Sequence, residues 1–162
     1  MTVQKSNTVV PVIFVGHAEL PEGVRSAVEM ILGPQEQLST VHVGAAADLA
    51  EFAGQIQHSL DEMHATAETG ALILADLQGG SPSNSAAAVF LERQYVRVVA
   101  GLSLPMALEV LADRPGHTAD ELGDIALSAG HRAVIDVSAA LQAAGAGRVG
   151  EQTDSLLSGA GS

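Results

Sequence analysis

The stretch Leu72-Ile73-Leu74-Ala75-Asp76-Leu77-Gln78-Gly79-Gly80-Ser81-Pro82-Ser83-Asn84 does most to limit what this chain can fold into. A short apolar run bounded by turn residues suits a buried parallel strand, and this one stops on a carboxylate, Asp76. Gly79 and Gly80 allow a tight loop, after which Ser81 reads as an N-cap and Pro82 as a first helical residue. The order is therefore strand, loop, helix start. Unpaired N–H groups and the helix dipole at such a start form a seat for an anion such as a phosphoryl group.

The rest of the chain repeats this alternation. Val9 to Val15 reads as a first strand, ending at Gly16-His17, and Val24, Ala27, Val28, Ile31 and Leu32 then recur at helical spacing before Gly33-Pro34. Leu38 to Val43 reads as a second strand, followed by the helical stripe Leu49, Phe52, Ala53, Ile56, Leu60 and Met63. After the opening stretch comes an alanine-rich helix from Pro82 to about Arg93, then a fourth strand from Tyr95 to Ala100. A short helix through Met106, Leu108 and Leu111 stops at Pro115-Gly116, and Thr118 to Glu121 is a capping box that opens a helix to about His131. Ala133 to Val137 reads as a short last strand.

This pattern predicts a single three-layer α/β domain: a mostly parallel open sheet of four strands plus a short carboxyl-terminal strand, with helices on both faces. Residues 1–8 read as disordered or tag-like, 9–137 as the domain, and 138–162 as a flexible tail rich in Gly, Ala and Ser. At 162 residues, 47% hydrophobic and 2% aromatic, the core is expected to be built from Val, Leu, Ile and Ala. The formal net charge of -12 argues against nucleic acid and anionic membranes and favours a partner with a basic patch. The absence of cysteine excludes disulfides, thiolate metal sites and cysteine nucleophiles. No apolar run is long enough to cross a bilayer and no signal peptide is visible, so a cytoplasmic protein without membrane insertion is expected.

Ligands of open α/β sheets bind at the carboxyl ends of the strands, near the switch point in strand order. Two such ends carry ionisable residues, His17 and Asp76, and a flavodoxin-like order would make their strands neighbours. A carboxylate on one imidazole nitrogen fixes the tautomer and leaves the other nitrogen free to attack. With an anion seat beside them, nucleophile, orienting carboxylate and cradle suit in-line phosphoryl transfer without a metal or cofactor. The competing reading is structural, with His17 capping its strand and Asp76 bracing the loop.

Four blocks, in order and spacing, carry a resemblance. Val12-Ile13-Phe14-Val15-Gly16-His17, the helix end Ala27-Val28-Glu29-Met30-Ile31-Leu32-Gly33, the loop Asp76 to Asn84, and Val99-Ala100-Gly101-Leu102-Ser103-Leu104-Pro105-Met106 resemble the enzyme IIA domain of the mannose-family sugar phosphotransferase system over about residues 9 to 137. The resemblance implies that His17 takes a phosphoryl group from the phosphocarrier HPr and passes it to a IIB component, with Asp76 as its partner carboxylate. It matches Ser81 to a loop serine near the phosphoryl group, to which our own reading adds the segment Gly79, Gly80, Ser83 and Asn84 as a cradle. It also implies a homodimer that exchanges a carboxyl-terminal strand, for which Ala133 to Val137 is the candidate. The departures are Ala18 for a common Gly, Gln78 for an aromatic and Ser83 for Phe, which make the rim more polar and bear on which partners dock.

Three rivals stand beside this reading. The phosphotransferase subunit of dihydroxyacetone kinase uses a similar domain, although the Asp76 to Asn84 loop looks more like the transporter group. A serine hydrolase would use His17, Asp76 and Ser81, but the Gly-x-Ser-x-Gly elbow is lacking. The third is a regulatory module phosphorylated as a signal. His58 and Glu62 read as an exposed i,i+4 pair rather than a metal site, and no Lys follows the glycine pair as a P-loop requires.

Overall fold

In the computed structural model, which describes residues 9–44 and 48–145, the four apolar runs form parallel strands. They are β1 (Val12–His17), β2 (Leu38–Val43), β3 (Ala71–Ala75) and β4 (Val96–Ala100), in the spatial order β2-β1-β3-β4. All of β3 and all of β1 except His17 are buried, which is why these two strands read as continuous apolar runs. The outer strands mix buried with half-buried positions. Because β2 adds to one side of β1 and β3 to the other, the order reverses between β1 and β3.

Five helices cover the sheet: α1 (Leu20–Leu32), α2 (Leu49–Glu62), α3 (Ser81–Glu92), α4 (Leu104–Asp113) and α5 (Ala119–Arg132). The two-residue alternation of a strand sends Val12 and Phe14 to one face and Ile13 and Val15 to the other. On the first face they meet Val28, Val110 and Leu122 of α1, α4 and α5. On the second they meet Phe52, Ile56 and Val89 of α2 and α3. The single α/β domain is thus three-layered, as the alternation of elements predicts. The capping box also forms: the Glu121 N–H donates to Thr118 Oγ1 at 3.2 Å and the Thr118 N–H to Glu121 Oε2 at 2.8 Å.

Two expectations change. The first strand starts at Val12 rather than Val9, because Pro11 has no N–H to give and the parallel ladder begins with Val12 opposite Leu38 and Leu72. It also runs on through Gly16 to His17, which pairs with Val43 of β2. The short carboxyl-terminal strand is not present. Residues 134–136 are irregular, and 137–145 is helical, where the sequence suggested the end of a strand and the start of a tail. Asp136 caps this turn, its side chain accepting from the Ala139 N–H at 3.0 Å and its carbonyl from the Ala140 N–H at 3.1 Å. A strand needs a neighbouring edge to pair with, and this segment lies against none, leaving Val134 91% exposed. The expected disorder at 1–8 and the tail beyond 145 lie outside the described residues.

Candidate functional site

The reversal between β1 and β3 sets the carboxyl ends of those strands side by side, and His17 and Asp76 meet there across 59 positions of sequence. Asp76 leaves the sheet with its N–H donating to the Val15 carbonyl at 3.0 Å. Its own carbonyl neighbour, Ala75, is already engaged by the N–H groups of Gly101 and Leu102, both at 2.8 Å. The Asp76 side chain supplies the missing acceptor for the next rung, and Oδ2 takes the His17 N–H at 2.8 Å. The same Oδ2 lies 2.8 Å from His17 Nδ1, while Oδ1 accepts from the Leu77 N–H at 2.7 Å.

These contacts decide the charge state and the tautomer. Burial, the largest single influence on Asp76, pushes its pKa up. The hydrogen bonds from the His17 N–H, the His17 ring and the Leu77 N–H together outweigh it and hold the carboxyl below the ordinary range. An ionised carboxylate only accepts, so Nδ1 is the donor and Nε2 carries the free lone pair. The Asp76 side chain is 7% exposed and that of His17 47%, so the acid is shielded while the ring faces outward.

Two glycines make the approach feasible. A Cβ on Gly16 would lie 3.0 Å from Asp76 Oδ2, and one on Gly80 would lie 2.9 Å from His17 Cε1. The sequence marked Gly80 as a turn residue, yet its φ of -80° suits any residue and only the closeness of the ring demands glycine. Gly79, at φ +80°, is the one that makes the turn.

The helix begins one residue earlier than expected. Gly80 is the N-cap of α3, with Ser81 and Pro82 as its first two residues, so Ser81 does not cap. Ser83 is buried and its hydroxyl donates to the Gly80 carbonyl at 3.0 Å. The Asn84 N–H donates to the same carbonyl at 3.0 Å, so of the expected cradle the N–H groups of Gly79, Gly80, Ser81 and Ser83 are without an intramolecular acceptor among the described residues. Pro82 contributes none. Leu77, which sequence reasoning passed over, stands 50% exposed beside the pair, and its position in a polar loop was the available signal.

A family model described as "EIIA-man: PTS system fructose IIA component" matches residues 11–127. The chain belongs to this family. It is thus a phosphoryl-carrying EIIA component of the mannose, sorbose and fructose type of sugar phosphotransferase system. The sorbose-specific EIIA component of Klebsiella pneumoniae is 35% identical over 112 residues, which is 68% of this chain and 78% of that one. The mannose-specific EIIAB component of Escherichia coli K12 is 29% identical over 119 residues, 73% of this chain and 36% of that longer one. A crystal structure of EIIA from Streptococcus agalactiae has a TM-score of 0.73 at 27% identity, covering 80% of this chain and 98% of the other.

Other features of this EIIA chain stand apart from the site. His58 Nε2 lies 3.4 Å from Glu62 in an exposed i,i+4 pair, and among the described residues no cluster of three or more His, Asp or Glu could hold a metal. No serine hydroxyl among them is hydrogen-bonded to His17, which gives a hydrolase triad no support. Among them, too, no helix is long and apolar enough to cross a membrane.

Ala18, next to His17, has a φ of 47°, a left-handed conformation that costs an L-residue with a Cβ roughly 1–2 kcal/mol. Glycine relieves that strain but adds freedom to the unfolded chain. Ala18→Gly is expected to raise stability by about 0.5–1 kcal/mol, read as a higher urea midpoint. An unchanged or lower midpoint would show that the conformation is not strained.

Proposed function

We propose that His17 is the phosphoryl acceptor of this EIIA component, charged by phospho-HPr in the cytoplasm and discharged onto a IIB component during sugar uptake. The observation that carries the proposal is the 2.8 Å bond from His17 Nδ1 to Asp76, which leaves Nε2 bare at the switch point. In the step, the Nε2 lone pair attacks phosphorus, the new P–N bond forms, and the bond to the donor breaks in line. Asp76 balances the imidazolium charge that develops. The N–H groups of Gly79, Gly80, Ser81 and Ser83 are available to the phosphoryl oxygens, with the Ser81 hydroxyl beside them. The Asn84 N–H, bonded to the Gly80 carbonyl, closes the helix start instead.

Charge supports a basic partner. Arg25, Arg93, Arg97 and Arg132 are each paired with a carboxylate of the chain, and Arg114 is buried against the Gln37 carbonyl. The described surface thus keeps its acidic excess for partners, of a chain whose net charge is -12. Exposed Leu20 and Leu77 flank His17 and supply the apolar part of a docking surface.

The proposal includes a homodimer. The β4 edge is unpaired among the described residues, beside a groove of about 510 Å³ lined by Phe90, Tyr95 and Ala119 among others. Val134 and Ile135, in the irregular segment before the helical residues 137–145, are 91% and 66% exposed and have the composition of an edge segment without a partner. Light scattering that gives a monomer mass at micromolar concentration would remove this part of the proposal.

The deciding experiment incubates the protein with phosphoenolpyruvate, enzyme I and HPr, maps the acid-labile phosphate, and offers the charged protein to a IIB domain or a dihydroxyacetone kinase. Labelling of His17 with discharge onto IIB is the expected result. Discharge onto the kinase alone would favour the sister group, and a stable phosphate that neither acceptor takes would favour a signalling module.

A further inference from the structure

Gly80 is the backbone position pressed against the imidazole, where a Cβ would lie 2.9 Å from His17 Cε1. Cε1 is bonded to both ring nitrogens, so the Gly80 backbone borders the approach to Nε2. Asp76 holds the opposite nitrogen, and the ring is therefore set between a carboxylate and a loop. The loop's place depends on what restrains Gly80. Its carbonyl accepts two hydrogen bonds, from the Asn84 N–H and from Ser83 Oγ, each 3.0 Å long. The first is a main-chain helical bond that any residue except proline at 84 would make. The second belongs to one side chain, and at 9% exposure that side chain is protected from competing water.

The geometry points to Ser83 as a positioning residue: by clamping the Gly80 carbonyl it seats the start of α3 against the His17 ring and sets the distance from Nε2 to the free N–H groups. Ser83, whose backbone the sequence offered to the cradle, turns its hydroxyl inward onto the loop. Its kinetic consequence rests on the phosphoryl reading above, whereas its effect on the ring does not. Misplacing a reacting group by 1 Å can cost about 100-fold in rate. Loss of one of two bonds to Gly80 is a smaller disturbance, for which about a tenfold loss is expected.

The test compares wild type with Ser83→Ala and Ser83→Thr. Threonine in a helix can direct its hydroxyl to the carbonyl three or four residues back, so it keeps the clamp that alanine deletes. Two quantities are read: the NMR signal of the His17 Cε1–H in the unphosphorylated protein, and the rate and half-saturation of phosphoryl transfer from phospho-HPr. Ser83→Ala is expected to move the ring signal and to slow transfer about tenfold without changing half-saturation, and Ser83→Thr to restore both. An unmoved ring signal in Ser83→Ala, or a loss confined to half-saturation, overturns the inference. If wild type takes no phosphoryl group on His17, the phosphoryl reading falls, and the ring signal still decides whether Ser83 positions Gly80.

Discussion

Replacing His17 with alanine is expected to abolish the acid-labile phosphate, lowering transfer from phospho-HPr by more than about 10³-fold. No other described histidine has the same equipment. His58 pairs with exposed Glu62, His117 Nδ1 bonds to the Asp113 carbonyl, and the rings of His42, His64 and His131 bond to no described carboxylate, so none of them is held as His17 is by the shielded Asp76. The loss should be chemical rather than structural. The His17 side chain is half exposed, and Asp76 would keep its bonds from the N–H groups of residues 17 and 77. A folded His17→Ala protein that still takes up one phosphate per chain would remove His17 from the mechanism.

Asp76→Asn is expected to slow transfer by about 10²- to 10⁴-fold, the range associated with losing the group that orients a catalytic imidazole. All three of the hydrogen bonds to Asp76 come from donors: the His17 N–H and Nδ1 on one oxygen, the Leu77 N–H on the other. An amide has one oxygen to offer, so its NH₂ must face donors on one side. The tautomer is then no longer imposed, and roughly 1–3 kcal/mol of stability is expected to go with it. The pH dependence follows from the same contacts. The folded-state pKa of Asp76 is lowered, so its stabilising contribution is complete above the ordinary carboxylate pKa of about 3.9 and is lost as pH falls through the lower folded value. Wild type and Asp76→Asn should therefore differ most in urea denaturation near pH 7 and converge towards pH 2. A gap that stays constant over that range would mean that the carboxylate charge is not what holds the loop.

Much of the frame was legible because it is governed by neighbours in sequence. The buried run Leu72 to Ala75 could hardly be other than an interior strand, Thr118 and Glu121 cap a helix across three residues, Pro82 fixes its φ locally and Gly79 permits the left-handed turn. Less visible were the features set by contact at a distance. Gly16 looks like the mere end of a strand and Gly80 like a turn residue until Asp76 and the His17 ring are seen against them. Ser83 looks like one more backbone position of the cradle until its hydroxyl is seen turned onto Gly80. The failed strand at 133–137 has the same origin, since β composition is a property of the segment but pairing needs an edge supplied from elsewhere.

From residue order alone came the alternation of strand and helix, the charged strand end at Asp76 and His17 as the candidate nucleophile, all consequences of period, turn chemistry and side-chain type. Folding in three dimensions decided that β1 and β3 are neighbours, that Asp76 completes the rung at His17, and that Nε2 is the nitrogen left open. Strand order and side-chain encounter are choices among distant partners, made by the packing of two helical layers on one sheet, and no local pattern encodes them.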